Sequence, residues 1–445
     1  MRTIKLVAFA VLTICISFIL SYAGEIGTLP IGNCFGMGIN GNYQHPWSIL
    51  DQAQAVGCNL VRDEEFNEDP NQTLDNFYLE ATRRKIYLLP LVNINPVPVN
   101  AADRDAYANR FLRLVNRYGP GGTLWHENAS VDSLYAPVVW EIMNEPYVGV
   151  QGGPYNPSGY AQLVKRVSEV VKAVHPKIKL TAAHETTYFN PGNPDDGKNW
   201  LDALYTAVPN LGDYFDLVAV HPYAHDPSPG DPNARWNFRR IENIRARLIA
   251  KGINKDFWIT ELGNPTNCTS GSGHTEAEQA EYLQEYVDLC KGYGYVRAYI
   301  HYCYPDFGSS PADCEQHFGV VRYDGSHKPA FDVLRRNALS NPYSISCVSV
   351  IAPPVILKKG TYFLRSETFY SSVHAAVFGP GVDEVTLYNL QGKKFFYTSR
   401  SKASLSPIVW NCCNNKSDPA GHELFLARIH TQNDLVYFQK FMIQP

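Results

Sequence analysis

The sequence lacks clusters of basic residues. Lys and Arg together number 39 against 43 Asp and Glu, the formal net charge is −4, and charged residues make up only 18% of the chain. No run of Lys or Arg interrupts this near balance, which argues against nucleic acid and anionic membrane surfaces as partners. Neutral ligands fit this composition better.

Cysteine pairs at metal-binding spacing are also absent. The 10 cysteines include no Cys-x-x-Cys pair, so a zinc site is not expected. Cys34, Cys58 and Cys303 stand in apolar, strand-like segments and are expected to be buried. Cys268 and Cys314 lie in polar loops and could form a disulfide in an exported protein, which the sequence leaves open.

Long apolar runs are missing except at the N-terminus. Arg2 and Lys5 precede an apolar run from Leu6 to Leu20, and Ser21-Tyr22-Ala23 is typical of a cleavage site. We predict a signal peptide over residues 1–23 and a secreted, extracellular protein, with a periplasmic or cell-surface location left open. A membrane anchor is the alternative interpretation of this run, and no later segment is apolar enough to span a bilayer.

Short apolar strands alternate with amphipathic helical segments from residue 31 to about residue 338. The predicted strands are 34–40, 59–62, 86–92, 136–140, 179–183, 216–221, 256–261 and 296–302. Eight strand–helix units predict an α/β fold, the (β/α)8 TIM barrel. A doubly wound open sheet would need a phosphate-binding glycine turn, and the glycine-rich segment 35–41 lacks that spacing.

The pattern changes after residue 340. Residues 345–445 contain short alternating runs separated by turn signals, which predict a small all-β sandwich. The predicted strands are 361–365, 375–378, 384–389, 394–398, 423–429 and 435–441. We therefore predict a signal peptide (1–23), a catalytic barrel (24–340) and a C-terminal β-sandwich domain (345–445).

Two of the predicted barrel strands run into a glutamate. The run 136–140 leads to Asn144-Glu145-Pro146, where the proline ends the strand and favours an extended residue before it. The second apolar strand ends at Glu261 and is followed by Gly263. Because the carboxyl ends of barrel strands open onto one face, both carboxylates are expected at one mouth.

These motifs carry a family resemblance. Residues 140–146 (WEIMNEP), 221–223 (HPY) and 258–263 (WITELG) resemble retaining glycoside hydrolases of clan A, closest to family 5 (cellulase-like) or family 39. The resemblance covers about residues 31–338. It implies that Glu145 is the acid/base and Glu261 the nucleophile, with their carboxyl groups roughly 5–5.5 Å apart. The segments 385–393, 409–410 and 424–429 resemble the immunoglobulin-like C-terminal modules of secreted bacterial enzymes.

The resemblance also implies substrate-binding residues. Arg62 matches the position whose guanidinium hydrogen-bonds the nucleophile and keeps it ionised, and Tyr223 matches a tyrosine that contacts the nucleophile. Asn144 matches the asparagine that holds the substrate 2-hydroxyl, and His221 is expected on the same wall. Tyr302 and Tyr304 are expected to contact sugar, although the family usually has a tryptophan there, which leaves the substrate open.

Other polar and aromatic residues near the strand ends are interpreted as structural. Glu141 is expected roughly 13 Å deeper in the barrel than Glu145. Asp63, Glu64 and Glu65 are expected in a solvated loop. His221 and His225 have metal-like spacing, but Pro222 argues against a helix-borne metal pair. Four aromatic residues are candidate sugar platforms for which packing is the plainer interpretation: Trp125, Tyr147, Tyr188 and Trp236.

The sequence therefore predicts hydrolysis of β-glycosidic bonds in a polysaccharide or oligosaccharide of the β-glucan, xylan or mannan type. Cleavage by double displacement needs no cofactor or metal, and carbohydrate is the only partner expected of a monomer. Two alternatives remain: an inactive carbohydrate-binding or adhesive protein on the same fold, and transglycosylation through the same covalent intermediate. Endo or exo cleavage and cell-surface attachment through the C-terminal domain stay open.

Overall fold

A computed structural model describes residues 29–34, 48–66, 68–269 and 273–343, together with six strands between residues 376 and 442. The predicted signal peptide and most of the predicted first strand lie outside the described residues. The chain divides into two compact units, residues 1–349 and 350–445.

Eight parallel strands of the first unit form a closed barrel in chain order, with the eighth strand paired to the first. The strands are β1 (Ile31–Cys34), β2 (Leu60–Phe66), β3 (Tyr87–Asn93), β4 (Val139–Ile142), β5 (Lys179–Ala183), β6 (Leu217–Val220), β7 (Phe257–Leu262) and β8 (Val296–Tyr302). The predicted TIM barrel is confirmed, because the helices alternate with these strands.

The helices pack their apolar faces on the barrel. They are α1 (Ser48–Ala55), α2 (Gln72–Arg83), α3 (Ala101–Tyr118), α4 (Thr123–Glu127), α5 (Gly149–Gly152), α6 (Pro157–Val174), α7 (Leu201–Ala207), α8 (Arg240–Ala250), α9 (Glu276–Gly292) and α10 (Pro329–Ser340). Their starts follow local chemistry: Thr275 and Glu278 form a reciprocal capping box at α9. One core fills the space between helices and strands, and a second fills the barrel interior.

The structure corrects the prediction of a solvated loop after β2. This strand continues to residue 66 and pairs in register with β3. Asp63 is consequently buried inside the strand, with 7% of its surface exposed. The charge of residues 63–65 predicts a loop, whereas pairing with β3 extends the strand through this acidic run.

The strands described in the second unit are antiparallel. They are β9 (Ala376–Phe378), β10 (Val382–Tyr388), β11 (Lys394–Ser399), β12 (Ile408–Trp410), β13 (Leu424–Thr431) and β14 (Val436–Met442). They form a four-stranded sheet in the order β11-β10-β13-β14 and a β12-β9 pair. The predicted strand 361–365 lies outside the described residues. Within the described part of the chain, no helix has the length and apolarity needed to cross a bilayer.

Candidate active site

The end of β4 turns sharply and presents Glu145. Met143 has a φ of 61° and Glu145 a φ of 37°, so the extended backbone expected before Pro146 is not observed. The backbone N–H of Asn144 donates to Oδ1 of Asn93 at 3.0 Å, which fixes the turn to the end of β3. Left-handed backbone at a non-glycine residue costs free energy and persists only where the surroundings impose it.

Glu261 lies within β7 and is 6% exposed. Two residues further on, the chain passes so close to β8 that a Cβ added to Gly263 would lie 1.7 Å from the carbonyl oxygen of Tyr302. No larger residue fits without moving the backbone. This glycine therefore fixes the strand end that carries Glu261.

Arg62, the third residue of β2, donates hydrogen bonds to Glu261, Asn144 and Glu141. Its Nη1 donates to Oε2 of Glu261 at 2.9 Å, and its Nη2 donates to Oδ1 of Asn144 at 2.7 Å. Its Nε donates to Oε2 of Glu141 at 2.6 Å. The predicted contact between Arg62 and Glu261 is confirmed, and the buried cation is shared by the carboxylates of Glu141 and Glu261.

Glu141 is part of the site, so the prediction that it lies remote in the barrel is wrong. Arg62 contacts both Glu141 and Glu261 directly. Only a straight strand from Glu141 to Glu145 would give that separation, and the chain instead turns after Ile142. Glu141 thus acts as the buried counter-charge that fixes Arg62.

Tyr223 supplies a second donor to Glu261. Its hydroxyl donates to Oε1 of Glu261 at 2.6 Å, which confirms the predicted contact. Burial raises the pKa of Tyr223, and the negative charge of Glu261 raises it further, so the phenol keeps its proton. Both oxygens of Glu261 therefore accept hydrogen bonds from groups that stay protonated at neutral pH.

His221 lies between the two glutamates. Its Nδ1 is 2.9 Å from Oε1 of Glu145 and 3.8 Å from Oε2 of Glu261. Its Nε2 is 3.0 Å from Oγ1 of Thr260, whose hydroxyl donates to Glu141 at 3.0 Å. Burial lowers the pKa of His221, but the carboxylates of Glu261 and Glu145 outweigh burial, and the net pKa is raised.

Glu145 shows the complementary shift. Burial raises its pKa, but the hydrogen bond from His221, together with the charges of His221, Arg235 and Arg62, leaves the pKa below its ordinary value. In the pair formed by Glu145 and His221 the proton therefore resides on the imidazole. One shared proton is available at this position.

Arg240 and Glu185 hold the backbone of His221 and Tyr223 in place, and the sequence did not predict either residue as part of the site. Arg240 donates to the backbone carbonyl oxygens of Tyr223 and His221, and its Nε lies 2.9 Å from Oε2 of Glu185. A basic residue at the start of α8 and a glutamate after β5 carry no sequence signal that separates them from surface pairs.

The three central groups are close together. A carboxylate oxygen of Glu145, one of Glu261 and a ring nitrogen of His221 all lie within 4.8 Å of one another. Such a cluster could hold a metal ion by proximity alone. Arg62 opposes this, because its fixed positive charge is 2.9 Å from Glu261. The arrangement therefore favours proton transfer and nucleophilic chemistry.

The predicted aromatic residues separate into different roles. Tyr302 faces the barrel interior, and its ring makes an edge contact with Tyr223 at 6.5 Å between centroids. Tyr304 packs instead against Phe331 of α10 in the outer core, so its predicted sugar contact gives way to packing. Tyr304 lies beyond the end of β8 at Tyr302.

Three of the four further aromatic candidates are packing residues. Nε1 of Trp125 donates to backbone carbonyls, and the hydroxyl of Tyr188 donates to the carbonyl oxygen of Gly153. Tyr147 is buried. Trp236 differs, because 45% of its surface is exposed.

The loops after β7 and β8 are tied together. Cys268 and Cys314 form a disulfide, which resolves the open alternative, and Cys58 and Cys303 are buried thiols as predicted. Nearby, Nζ of the buried Lys328 donates to Oδ1 of Asp306 at 2.8 Å. The disulfide and the buried ion pair thus hold in place the loops that follow β7 and β8.

Part of the barrel matches a known family model. Residues 141–331 match the family model described as the glycosyl hydrolase catalytic core. This match and the eight-stranded parallel barrel confirm the resemblance to clan A glycoside hydrolases. A search of curated protein sequences gives no significant match.

Several solved structures are similar to the chain. One is a family 39 glycoside hydrolase from the gut symbiont Bacteroides cellulosilyticus WH2, with 18% identity and a TM-score of 0.49 over 87% of this chain and 80% of that one. Another is β-glucuronidase 2 of Bacteroides uniformis, with 13% identity and a TM-score of 0.46 over 95% of this chain and 46% of that one. The chain thus spans less than half the length of that β-glucuronidase.

Proposed function

We propose that the protein is a retaining β-glycosidase with Glu261 as nucleophile and Glu145 as acid/base. The match of residues 141–331 to the glycosyl hydrolase catalytic core supports the proposal. The observation that carries the proposal is the pair of carboxylates with oxygens within 4.8 Å of each other. Retaining enzymes have carboxyl groups roughly 5–5.5 Å apart, whereas inverting enzymes separate them by roughly 6.5–9.5 Å.

The different surroundings of the two glutamates support these roles. Glu261 accepts hydrogen bonds from Arg62 and Tyr223, which stabilise the charge that a nucleophile needs. It attacks the anomeric carbon while Glu145 gives a proton to the leaving oxygen. Water then attacks the glycosyl ester, Glu145 takes the water's proton, and Glu261 is released as carboxylate.

His221 holds the proton that Glu145 passes to the leaving group in the first step. Its pKa is raised partly by the negative charge of Glu261, and that charge disappears as Glu261 forms the ester bond. The imidazolium consequently becomes more acidic as bond formation proceeds. It returns its proton to Glu145 while Glu145 protonates the leaving group, so the proton is delivered when it is needed.

We further propose that residues 1–23 direct export and that residues 345–445 form an immunoglobulin-like sandwich. The N-terminal charge and apolar pattern supports the first proposal, and the antiparallel strands described between residues 376 and 442 support the second. The N-terminal sequence of the exported protein tests the cleavage site, because cleavage leaves Gly24 as the first residue.

The test of the activity is reducing-sugar release from β-glucans, xylans, mannans and galactans by the protein without residues 1–23. Proton NMR of the first product reports its anomeric configuration. We expect one polymer to be cut with a β-anomer formed first. An α-anomer would overturn the retaining mechanism, longer products would indicate transglycosylation, and binding without cleavage would indicate an inactive carbohydrate-binding protein.

A further inference from the structure

The loop between β6 and α8 carries an arginine, Arg235, whose guanidinium is only partly satisfied by the described residues. Nε and Nη1 of Arg235 are buried without a partner among the described residues. The carbon at the centre of its guanidinium lies 3.4 Å from the centroid of the Phe189 ring. Arg235 as a whole is half-buried, but leaving these two buried N–H groups unsatisfied is costly, so an acceptor from outside the chain would stabilise them.

An exposed aromatic surface adjoins this guanidinium. Trp236 is 45% exposed and stands edge-on to Phe189, with 5.8 Å between ring centroids. The ring of His225, on the same loop, has its centroid 5.9 Å from that of Trp236. Large exposed aromatic faces provide stacking area for the apolar face of a sugar ring.

The cluster lies near Glu145, because the backbone N–H of Phe189 donates to the carbonyl oxygen of Tyr147 at 2.7 Å, two residues beyond Glu145. Arg235 is among the charges that lower the pKa of Glu145, together with His221 and Arg62. Glu185, the other acidic group that attracts Arg235, is engaged by Arg240. Because the acid protonates the leaving oxygen, the sugar unit on this side is the leaving group.

We propose that Arg235, with Phe189 and Trp236, forms a leaving-group subsite for an anionic sugar, the anion being the carboxylate of a uronic acid or a sulfate ester. The inference rests on the proposed glycosidase function and names the substrate class of that site. Arginine presents a planar fork that matches such anions, and the Phe189 ring holds this plane in place.

The test compares oligosaccharides that differ in one group. Substrates with a D-glucuronate or D-galacturonate unit at the leaving-group position are measured beside their carboxyl-reduced counterparts and a sulfated analogue. We expect the wild-type protein to favour an anionic substrate by roughly 10-fold or more in kcat/KM, and Arg235→Gln to lose that preference. The preferred anion distinguishes uronate from sulfate.

Matched controls keep the inference separate from the function on which it rests. Arg239→Gln removes a neighbouring arginine that pairs with Glu242, and it should keep the preference. Cleavage of both partners at equal rates by the wild-type protein would overturn the subsite but leave the glycosidase intact. If nothing is cleaved, calorimetric binding of the same pair decides: tighter binding of the anionic partner, lost in Arg235→Gln, keeps the subsite, and equal or absent binding overturns it.

Discussion

The two glutamates at the barrel mouth are held in opposite ways. Glu261 accepts hydrogen bonds from Arg62 and Tyr223, neither of which loses its proton near neutral pH. Glu145 contacts His221, a side chain that can exchange a proton with it. A nucleophile needs a constant charge and an acid/base needs an exchangeable proton, so this difference supports the roles proposed for the two glutamates.

Replacing either glutamate with glutamine should have the largest effect on activity. Glu261→Gln removes the nucleophile and should abolish turnover of every substrate. Glu145→Gln should lower hydrolysis of polymers by roughly 10²–10⁴-fold, because the leaving oxygen loses its proton donor. On aryl glycosides with good leaving groups, added azide should restore turnover to Glu145→Gln and leave Glu261→Gln inactive. Rescue of Glu261→Gln alone would reverse the assignment.

Replacing Arg62 tests whether its charge holds Glu261 in the site. Arg62→Met leaves Glu141 and Glu261 buried without their cation, which should cost about 3–5 kcal/mol of unfolding free energy and most of the activity. Urea denaturation measures the first effect and steady-state kinetics the second. Arg62→Lys keeps the positive charge but can donate to fewer acceptors. Its stability and activity should therefore fall between those of the wild-type protein and Arg62→Met. Wild-type stability in Arg62→Met would contradict the shared-cation interpretation.

Tyr223→Phe is a smaller change on the same side. It removes one donor to Glu261 and keeps the ring that contacts Tyr302. We expect kcat/KM to fall by about 10- to 100-fold with little change in melting temperature, because a hydrogen bond to a charged group contributes about 1.5–3 kcal/mol. Unchanged kinetics would show that Arg62 alone suffices.

The pair formed by His221 and Glu145 should make the stability of the protein depend slightly on pH. His221 has a pKa raised above 6.5 in the fold, so its contribution is present below pH 6.5 and is lost as pH rises through the folded pKa. Glu145 has a pKa lowered below 4.5, so its contribution is present above pH 4.5 and is lost as pH falls through the folded pKa. His221→Asn should therefore lower the melting temperature most between pH 4.5 and 6.5.

His184 provides a control with the opposite sign. Burial lowers its pKa to about 4, so the folded protein loses stability as pH falls from 6.5, where the unfolded chain takes up the proton. The deficit of His184→Asn relative to wild type should accordingly shrink as the solution is acidified. Parallel pH trends for the two variants would contradict the ion pair between His221 and Glu145.

The sequence predicted the architecture well because periodicity and strand-end motifs are local. β5 and β8 were predicted to the residue, and Arg62, Tyr223 and Glu261 were predicted to meet. Glu141 was misplaced, because a curl after β4 cannot be read from strand rise alone. Arg235, Arg240 and Glu185 carry no local motif, since their importance arises from burial and from contacts that only the folded chain creates.

The most direct measurement of the central claim is the mass of the peptide that carries a trapped sugar. A 2-deoxy-2-fluoro glycoside of the preferred sugar slows hydrolysis of the intermediate, and proteolysis followed by mass spectrometry locates the label. The account predicts a single label on Glu261. A label on Glu145 or Glu141 would contradict it, as would turnover of the same compound without a covalent adduct.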